Sequence, residues 1–162
     1  MIVVADATPL QYLVRIEAVH VLQPLYERVL VPQSVAHELQ QPQTPAAVRV
    51  WIAPPPAWCE ICPDPPADPT LDFLDAGERA AIALAESLGA DRLLLDEWDA
   101  RAEAQRRRLP VTGTLGVLAE AHVAGRLDFE KAIIRLRQTN FYVTAAVVER
   151  VRQQIAGAKG HA

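Results

Sequence analysis

The sequence lacks the features that mark secreted, membrane-spanning and strongly basic proteins. Its 162 residues include two cysteines, too few for a disulfide framework. No apolar run approaches the ~18 residues of a membrane span, and the first residues lack the basic start of a signal peptide. We therefore expect a cytoplasmic protein with no membrane partner. The net charge of −4 argues against binding nucleic acid through bulk positive charge, which leaves a local patch or a metal ion.

The composition suits one folded domain. With 51% hydrophobic and 22% charged residues, a chain of this length can bury a substantial core. We expect a single domain over residues 1–156 and a flexible tail at 157–162.

Strand and helix signals alternate along the chain. Short apolar runs, typical of strands buried on both faces, occupy residues 2–5, 28–31, 93–95 and 111–112. Thr8 is a plausible N-cap with Pro9 in the first helical position, and the clearest helix begins at Gly77 and stops at Gly89. This alternation predicts an α/β fold with a parallel sheet.

Two segments depart from the alternation. Residues 54–69 contain seven prolines, so we expect no interior helix or strand there and interpret 41–70 as an ordered surface excursion. Residues 128–155 are predicted to be helical in two pieces, with a break near 139–142.

Acidic residues follow the predicted strands. Asp6 and Asp96 each end an apolar strand, and ligands of parallel sheets bind beyond such carboxyl ends. Glu38 lies in the helix after the second strand, and Glu78 lies in the first turn of the clearest helix. If the connecting helices follow the usual right-handed crossover, these four side chains converge.

Converging carboxylates repel one another unless a cation compensates them. Ligands that are all oxygen suit Mg²⁺ or Mn²⁺, which support phosphodiester hydrolysis by activating water and neutralising charge on the phosphate. Each acid also has a structural alternative. Asp6 could bind loop amides, Asp96 could cap a helix, Glu78 could complement a helix dipole, and Glu38 could be solvated.

Two further motifs leave alternatives open. Four arginines on the predicted helix after Asp96 are candidates for phosphate contacts or for a solvated helix face: Arg101, Arg106, Arg107 and Arg108. The segment WCEIC, residues 58–62, is similar to a thioredoxin motif, but the prolines that follow exclude the helix that this redox chemistry needs. A local disulfide or two free thiols is the better interpretation of Cys59 and Cys62.

Five collinear stretches carry a family signature: VVADATPL, VPQSVAHEL, LDAGERAAIALA, LLLDEWDAR and LPVTGTLGVL. Together they resemble the PIN-domain family, and most closely its subgroup of small prokaryotic proteins related to VapC-type toxins. The resemblance implies a three-layer α/β/α sandwich around a mainly parallel sheet of four to five strands. It also implies a homodimer and, in many relatives, an antitoxin that covers the active-site groove.

The resemblance implies an acidic tetrad that holds Mg²⁺ or Mn²⁺. The tetrad falls on Asp6, Glu38, Glu78 and Asp96, with Asp6 and Asp96 as the main metal ligands. Accessory roles fall on Thr8, Asp99 and either Thr112 or Thr114. The chain departs from the family pattern at Ala7, where a hydroxyl residue is common, and at Glu78, where many relatives carry aspartate.

These observations predict a metal-dependent ribonuclease, the toxin of a type II toxin–antitoxin pair, acting on an RNA substrate. The alternative is a PIN-like module that binds nucleic acid or protein without catalysis. The complete set of four acids argues against that alternative, because a binding module has no physical reason to keep mutually repelling carboxylates.

Overall fold

The computed structural model, which describes residues 1–160, has a parallel β-sheet with helices on both faces. The strands are β1 Val3–Ala5, β2 Val29–Pro32, β3 Cys59–Cys62, β4 Arg92–Leu94 and β5 Val111–Thr112. Their order across the sheet is β3-β2-β1-β4-β5, and every neighbouring pair is parallel. The predicted three-layer α/β/α sandwich is confirmed.

Helices connect the strands and cover the two faces of the sheet. They are α1 Ala7–Arg15, α2 Leu22–Tyr26, α3 Gln33–Leu39, α4 Ala46–Ile52, α5 Ala76–Leu88, α6 Trp98–Arg106, α7 Thr114–Val123, α8 Phe129–Arg137 and α9 Ala145–Gly160. In the described part of the chain, no helix is long and apolar enough to cross a membrane.

The central strand β1 shows why the chain forms two cores. Its side chains alternate between the faces, so Val3 and Ala5 pack into one hydrophobic cluster and Val4 into the other. The first cluster includes apolar residues of α1, α7, α8 and α9, and the second includes those of α5 and α6. Both faces of β1 are therefore dry, which agrees with its continuous apolar run.

The proline-rich excursion contains elements that the sequence did not predict. We expected no interior helix or strand in 54–69, and the strand found there, β3, is an edge strand that pairs with β2 along its whole length. β3 lies at the edge of the sheet and needs hydrogen bonds on one side only, so prolines before and after it are tolerated. The helix α4 also lies within the predicted excursion.

Two helix ends differ from the sequence analysis. The prediction of Thr8 as N-cap is wrong, since α1 begins at Ala7 and Asp6 occupies the N-cap position. Pro9 fits either register, because N–H groups in the first turn have no intrahelical partner. At the C-terminus, α9 continues to Gly160, so residues 157–160 of the expected tail are helical, while 161–162 lie outside the described residues. Val148, Val151 and other buried residues of α9 anchor this helix in the core.

Candidate active site

The carboxyl ends of the two central strands bring two acidic positions to one edge of the sheet. Ala5 pairs with Leu94 across β1 and β4, and the backbone amide of Asp6 donates to the Leu94 carbonyl at 2.9 Å. Asp6 directly follows β1, and Asp96 lies two residues beyond β4. The parallel register of adjacent strands therefore places both acids at the same edge of the sheet.

Asp6 is buried without full hydrogen bonding. The residue is 3% exposed, and its Oδ1 has no hydrogen-bond partner among the described residues. A Cβ placed on Gly77 would lie 3.3 Å from this oxygen, so the glycine lets α5 approach it closely. Burial raises the pKa of Asp6 well above its usual value, with further increases from Asp75, Glu38 and Glu78 and an opposing effect of the Ala7 amide.

Glu78 belongs to the capping box that begins α5. Its amide donates to Asp75 Oδ1 at 2.8 Å, and its own Oε1 accepts from the Asp75 amide at 3.1 Å. Burial is the main cause that raises the pKa of Glu78 to about 7, and the neighbouring carboxylates Asp75, Glu97 and Glu38 add to it. Glu78 therefore both caps α5 and contributes a carboxylate of raised pKa to the site.

Asp75 is the acidic residue that the sequence analysis missed. It contributes to the raised pKa values of Asp6, Glu38 and Glu78, which places its carboxylate in the same cluster. The sequence contained a signal, because an aspartate three residues before a glutamate at a helix start indicates a capping box. That pattern predicts a helix start, however, and not membership of an acidic site.

Glu38 lies on the exposed side of α3. Its pKa is raised first by partial burial and then by the charge of Asp75. The contacts between α3 and α5 bring these two helices together. Asp6, Glu38, Glu78 and Asp75 thus form one group of interacting carboxylates, which we call the acidic cluster.

Asp96 has hydrogen-bond partners that Asp6 lacks. Thr114 donates to it twice, from its amide to Oδ1 at 2.8 Å and from its hydroxyl to Oδ2 at 2.6 Å. A Cβ on Gly113 would lie 2.7 Å from Asp96 Oδ1 and 2.6 Å from Arg101 Nη1, so no larger residue fits between them. Burial raises the pKa of Asp96, whereas the Thr114 hydrogen bonds and the Arg101 charge lower it.

Thr112 faces a different polar group. Its hydroxyl accepts a hydrogen bond from Arg92 Nη1 at 2.7 Å, and the same guanidinium pairs with Glu120. Tyr26 also donates to Glu120, at 3.0 Å. Of the two threonines considered in the sequence, the structure therefore brings Thr114 to a strand-end acid and holds the Thr112 hydroxyl in this separate network.

Arg107 is engaged inside the protein. Its side chain is 10% exposed and pairs with Asp68 and Glu86 at 3.1 Å and with Glu103 at 3.2 Å. With its guanidinium held by three carboxylates, Arg107 stabilises the packing of α6 against α5 and the preceding loop, and it is not available for a phosphate.

The other candidates from the sequence have little involvement in the cluster. Arg106 pairs with Glu103 on the surface, and Arg108 lies two residues beyond the end of α6, in the left-handed region at φ 63. Asp99 is exposed in the first turn of α6, and Thr8 is half-buried in the first turn of α1. Arg101 is the member of the predicted arginine group that lies beside an acid of the site.

Cys59 and Cys62 are free thiols on β3. Cys59 is buried, and burial raises its pKa to about 12. A thiol with this pKa stays protonated at neutral pH, so it has none of the nucleophilic character that thiol–disulfide chemistry requires.

The acidic cluster fits a hard divalent cation by its chemistry. Within residues 1–160, no three carboxylate, histidine or thiol groups converge closely enough to form a complete metal site. The donors nevertheless are carboxylate oxygens, and one of them, Asp6 Oδ1, is buried without a partner. A cation beside that oxygen would compensate both its lost hydration and the repulsion among its neighbours.

The fold and site define a class: a parallel α/β protein with carboxylates gathered beyond the carboxyl ends of its central strands. A family model, DUF3368, described as a PIN domain, matches residues 2–157. The chain therefore belongs to the PIN-domain family, as the sequence motifs predicted. PIN domains are generally nucleases and typically use divalent metal ions. No curated protein matches the sequence.

Proposed function

We propose that the protein is an Mg²⁺- or Mn²⁺-dependent endoribonuclease that hydrolyses RNA phosphodiester bonds. The observation that carries this proposal is the buried Oδ1 of Asp6, which has no partner in the described chain and lies among carboxylates of raised pKa. An arrangement that destabilises the metal-free protein is consistent with a site for a cation. Membership of a family of nucleases supports the same function.

Each acid has a distinct part in this proposal. Asp6 and Asp96 would hold the ion, with Glu38 and Glu78 acting directly or through water. The bound ion supplies an activated water and neutralises charge that develops on the phosphate. Thr114 fixes the rotamer of Asp96 through two hydrogen bonds. Glu38, the most exposed of the four, lies where solvent and substrate approach.

Cleavage of labelled single-stranded RNA tests the proposal. Wild-type protein is assayed with Mn²⁺ and with EDTA, beside Asp6→Asn and the control Glu149→Gln, which removes an exposed carboxylate on α9. We expect metal-dependent cleavage that Asp6→Asn abolishes and Glu149→Gln retains, with both variants folded. Undiminished cleavage by Asp6→Asn, or unfolding of that variant, contradicts the assignment. Absence of both cleavage and Mn²⁺ binding in the wild type favours the non-catalytic binding module.

We further propose that the protein is a VapC-type toxin of a type II pair, acting in the cytoplasm as a homodimer and held inactive by an antitoxin protein. The support is the resemblance of its motifs to that subgroup. Light scattering of the purified protein tests the dimer. Expression in growing cells tests the toxin. We expect growth arrest with the wild type and none with Asp6→Asn. Co-expression of a small protein encoded beside this gene should relieve the arrest. A monomer, or harmless expression of an RNA-cleaving protein, contradicts the respective part.

A further inference from the structure

A cavity of about 1060 Å³ adjoins the candidate active site. It runs between α7 and α9, along β5 and the start of α6. Asp96 and Arg101 form part of its wall, so the cavity is continuous with the end of β4 where cleavage is proposed. A molecule bound in this cavity would reach a strand-end acid.

Two exposed aromatic rings line this same cavity. Tyr142 is 86% exposed and Trp98 is 82% exposed, the highest values among the large apolar side chains that the structure describes. Trp98 begins α6, two residues beyond Asp96, and Tyr142 lies in the segment between α8 and α9. Exposed rings at a cavity wall can stack on nucleobases, and such stacking tolerates any base.

The cavity wall carries two carboxylates and two arginines, and three of these four charged groups have partners within the protein. Arg101 donates to the Leu95 carbonyl at 3.1 Å and lies beside Asp96. Glu120 is paired with Arg92 and bonded by Tyr26, and Asp96 accepts two hydrogen bonds from Thr114. Arg150, in contrast, lines the cavity with no ion-pair partner among residues 1–160. The charge of the described wall that lacks an ion-pair partner is therefore positive, which favours an anionic group beside Arg150.

We infer that this cavity is a subsite for the single-stranded RNA that flanks the cleaved bond, with Trp98 and Tyr142 stacking on bases and Arg150 contacting a phosphate. The inference rests on the proposed ribonuclease function and names where its substrate lies. Stacking does not distinguish one base from another, so the subsite has no sequence preference. It accepts single strands and excludes duplexes, because the bases of a duplex have no free faces.

Binding without metal separates this inference from catalysis. Fluorescence anisotropy with a labelled 12-nucleotide single-stranded RNA in EDTA measures the affinity of wild type, Trp98→Ala, Tyr142→Ala and Trp98→Phe. The control Ile134→Ala removes an exposed apolar side chain on α8 outside the cavity. We expect each aromatic-to-alanine change to weaken binding about tenfold, Trp98→Phe to recover most of it, and the control to have no effect.

The salt dependence of RNA binding tests the role of Arg150. Arg150→Gln should weaken binding and lower the slope of log affinity against log salt by about 0.7, whereas the exposed Arg137→Gln on α8 should change neither. Equal affinities of wild type and the aromatic variants overturn the subsite even if the protein cleaves RNA. Weaker binding by these variants supports the subsite even if no cleavage is found. Binding of an amphipathic peptide but no RNA identifies a protein-docking groove and also overturns it.

Discussion

Replacing Glu78 with glutamine should stabilise the metal-free protein at alkaline pH. Glutamine keeps the capping box of α5, because its carbonyl oxygen can still accept from the Asp75 amide, but it removes the negative charge. The pKa of Glu78 is raised by burial and by Asp75, Glu97 and Glu38, so its ionised form opposes folding. Glutamine has no charge, so this unfavourable contribution to the free energy of folding is absent in the variant.

The size and pH range of the effect follow from the pKa shift. A rise from 4.5 to about 7 corresponds to at most ~3.4 kcal/mol, at about 1.36 kcal/mol per unit. Glu38 and Asp75 are exposed, so water screens part of their repulsion of Glu78. We therefore expect Glu78→Gln to raise the free energy of unfolding by about 2 kcal/mol. Below pH 4.5 both the folded and unfolded states bind the proton and the effect vanishes, whereas above pH 7 it is fully present.

Thermal unfolding in EDTA at pH 8 and at pH 4 measures this difference. For a chain of this size, about 2 kcal/mol corresponds to a Tm increase of about 4–8 °C at pH 8, with no change at pH 4. Glu149→Gln serves as the control and should change neither value. Added Mn²⁺ should stabilise the wild type more than Glu78→Gln. A lower Tm for Glu78→Gln at pH 8 would refute the electrostatic argument and leave Glu78 as a capping residue only.

Two other substitutions test the packing around the site. Gly113→Ala introduces a Cβ less than 3 Å from Asp96 Oδ1 and Arg101 Nη1. We therefore expect the free energy of unfolding in urea to fall by about 1–3 kcal/mol and Mn²⁺ binding to weaken. Unchanged values for both would contradict the close approach. Arg107→Ala should lower the free energy of unfolding by about 1–2 kcal/mol, because the guanidinium is 10% exposed and loses its pairs with Asp68, Glu86 and Glu103. Arg106→Ala on the surface should cost less. Equal costs for the two arginines would show that the ion-pair network contributes little.

The features predicted best are those that local pattern and parallel-sheet geometry determine together. Apolar runs that end in Asp6 and Asp96 predict buried strands, and the sheet then requires both acids to lie at one edge. Gly89 ends α5 with φ 58, as a glycine after an amphipathic run predicts. In these cases a short stretch of sequence contains the whole physical reason.

The features missed depend on which partner a segment meets. Strand β3 forms between groups of prolines because β2 supplies hydrogen bonds on one side, which a rule about proline in isolation does not include. Asp75 joins the acidic cluster because α3 and α5 pack together. Arg107 belongs to an arginine-rich run but meets carboxylates from two other segments, so its role could not be inferred from the run.

Asp6 and Asp96 are equivalent in the sequence pattern, but the packing makes them unequal. Asp96 accepts two hydrogen bonds from Thr114 and lies beside Arg101, so the protein itself compensates much of its charge. Asp6 has a buried oxygen with no partner in the described residues, and its charged neighbours are carboxylates. Because an unpaired buried acceptor costs free energy, a cation gains more at Asp6 than at Asp96. The strand that ends in Asp6 therefore creates the demand for a metal ion, and Asp96 presents a ligand already held in position.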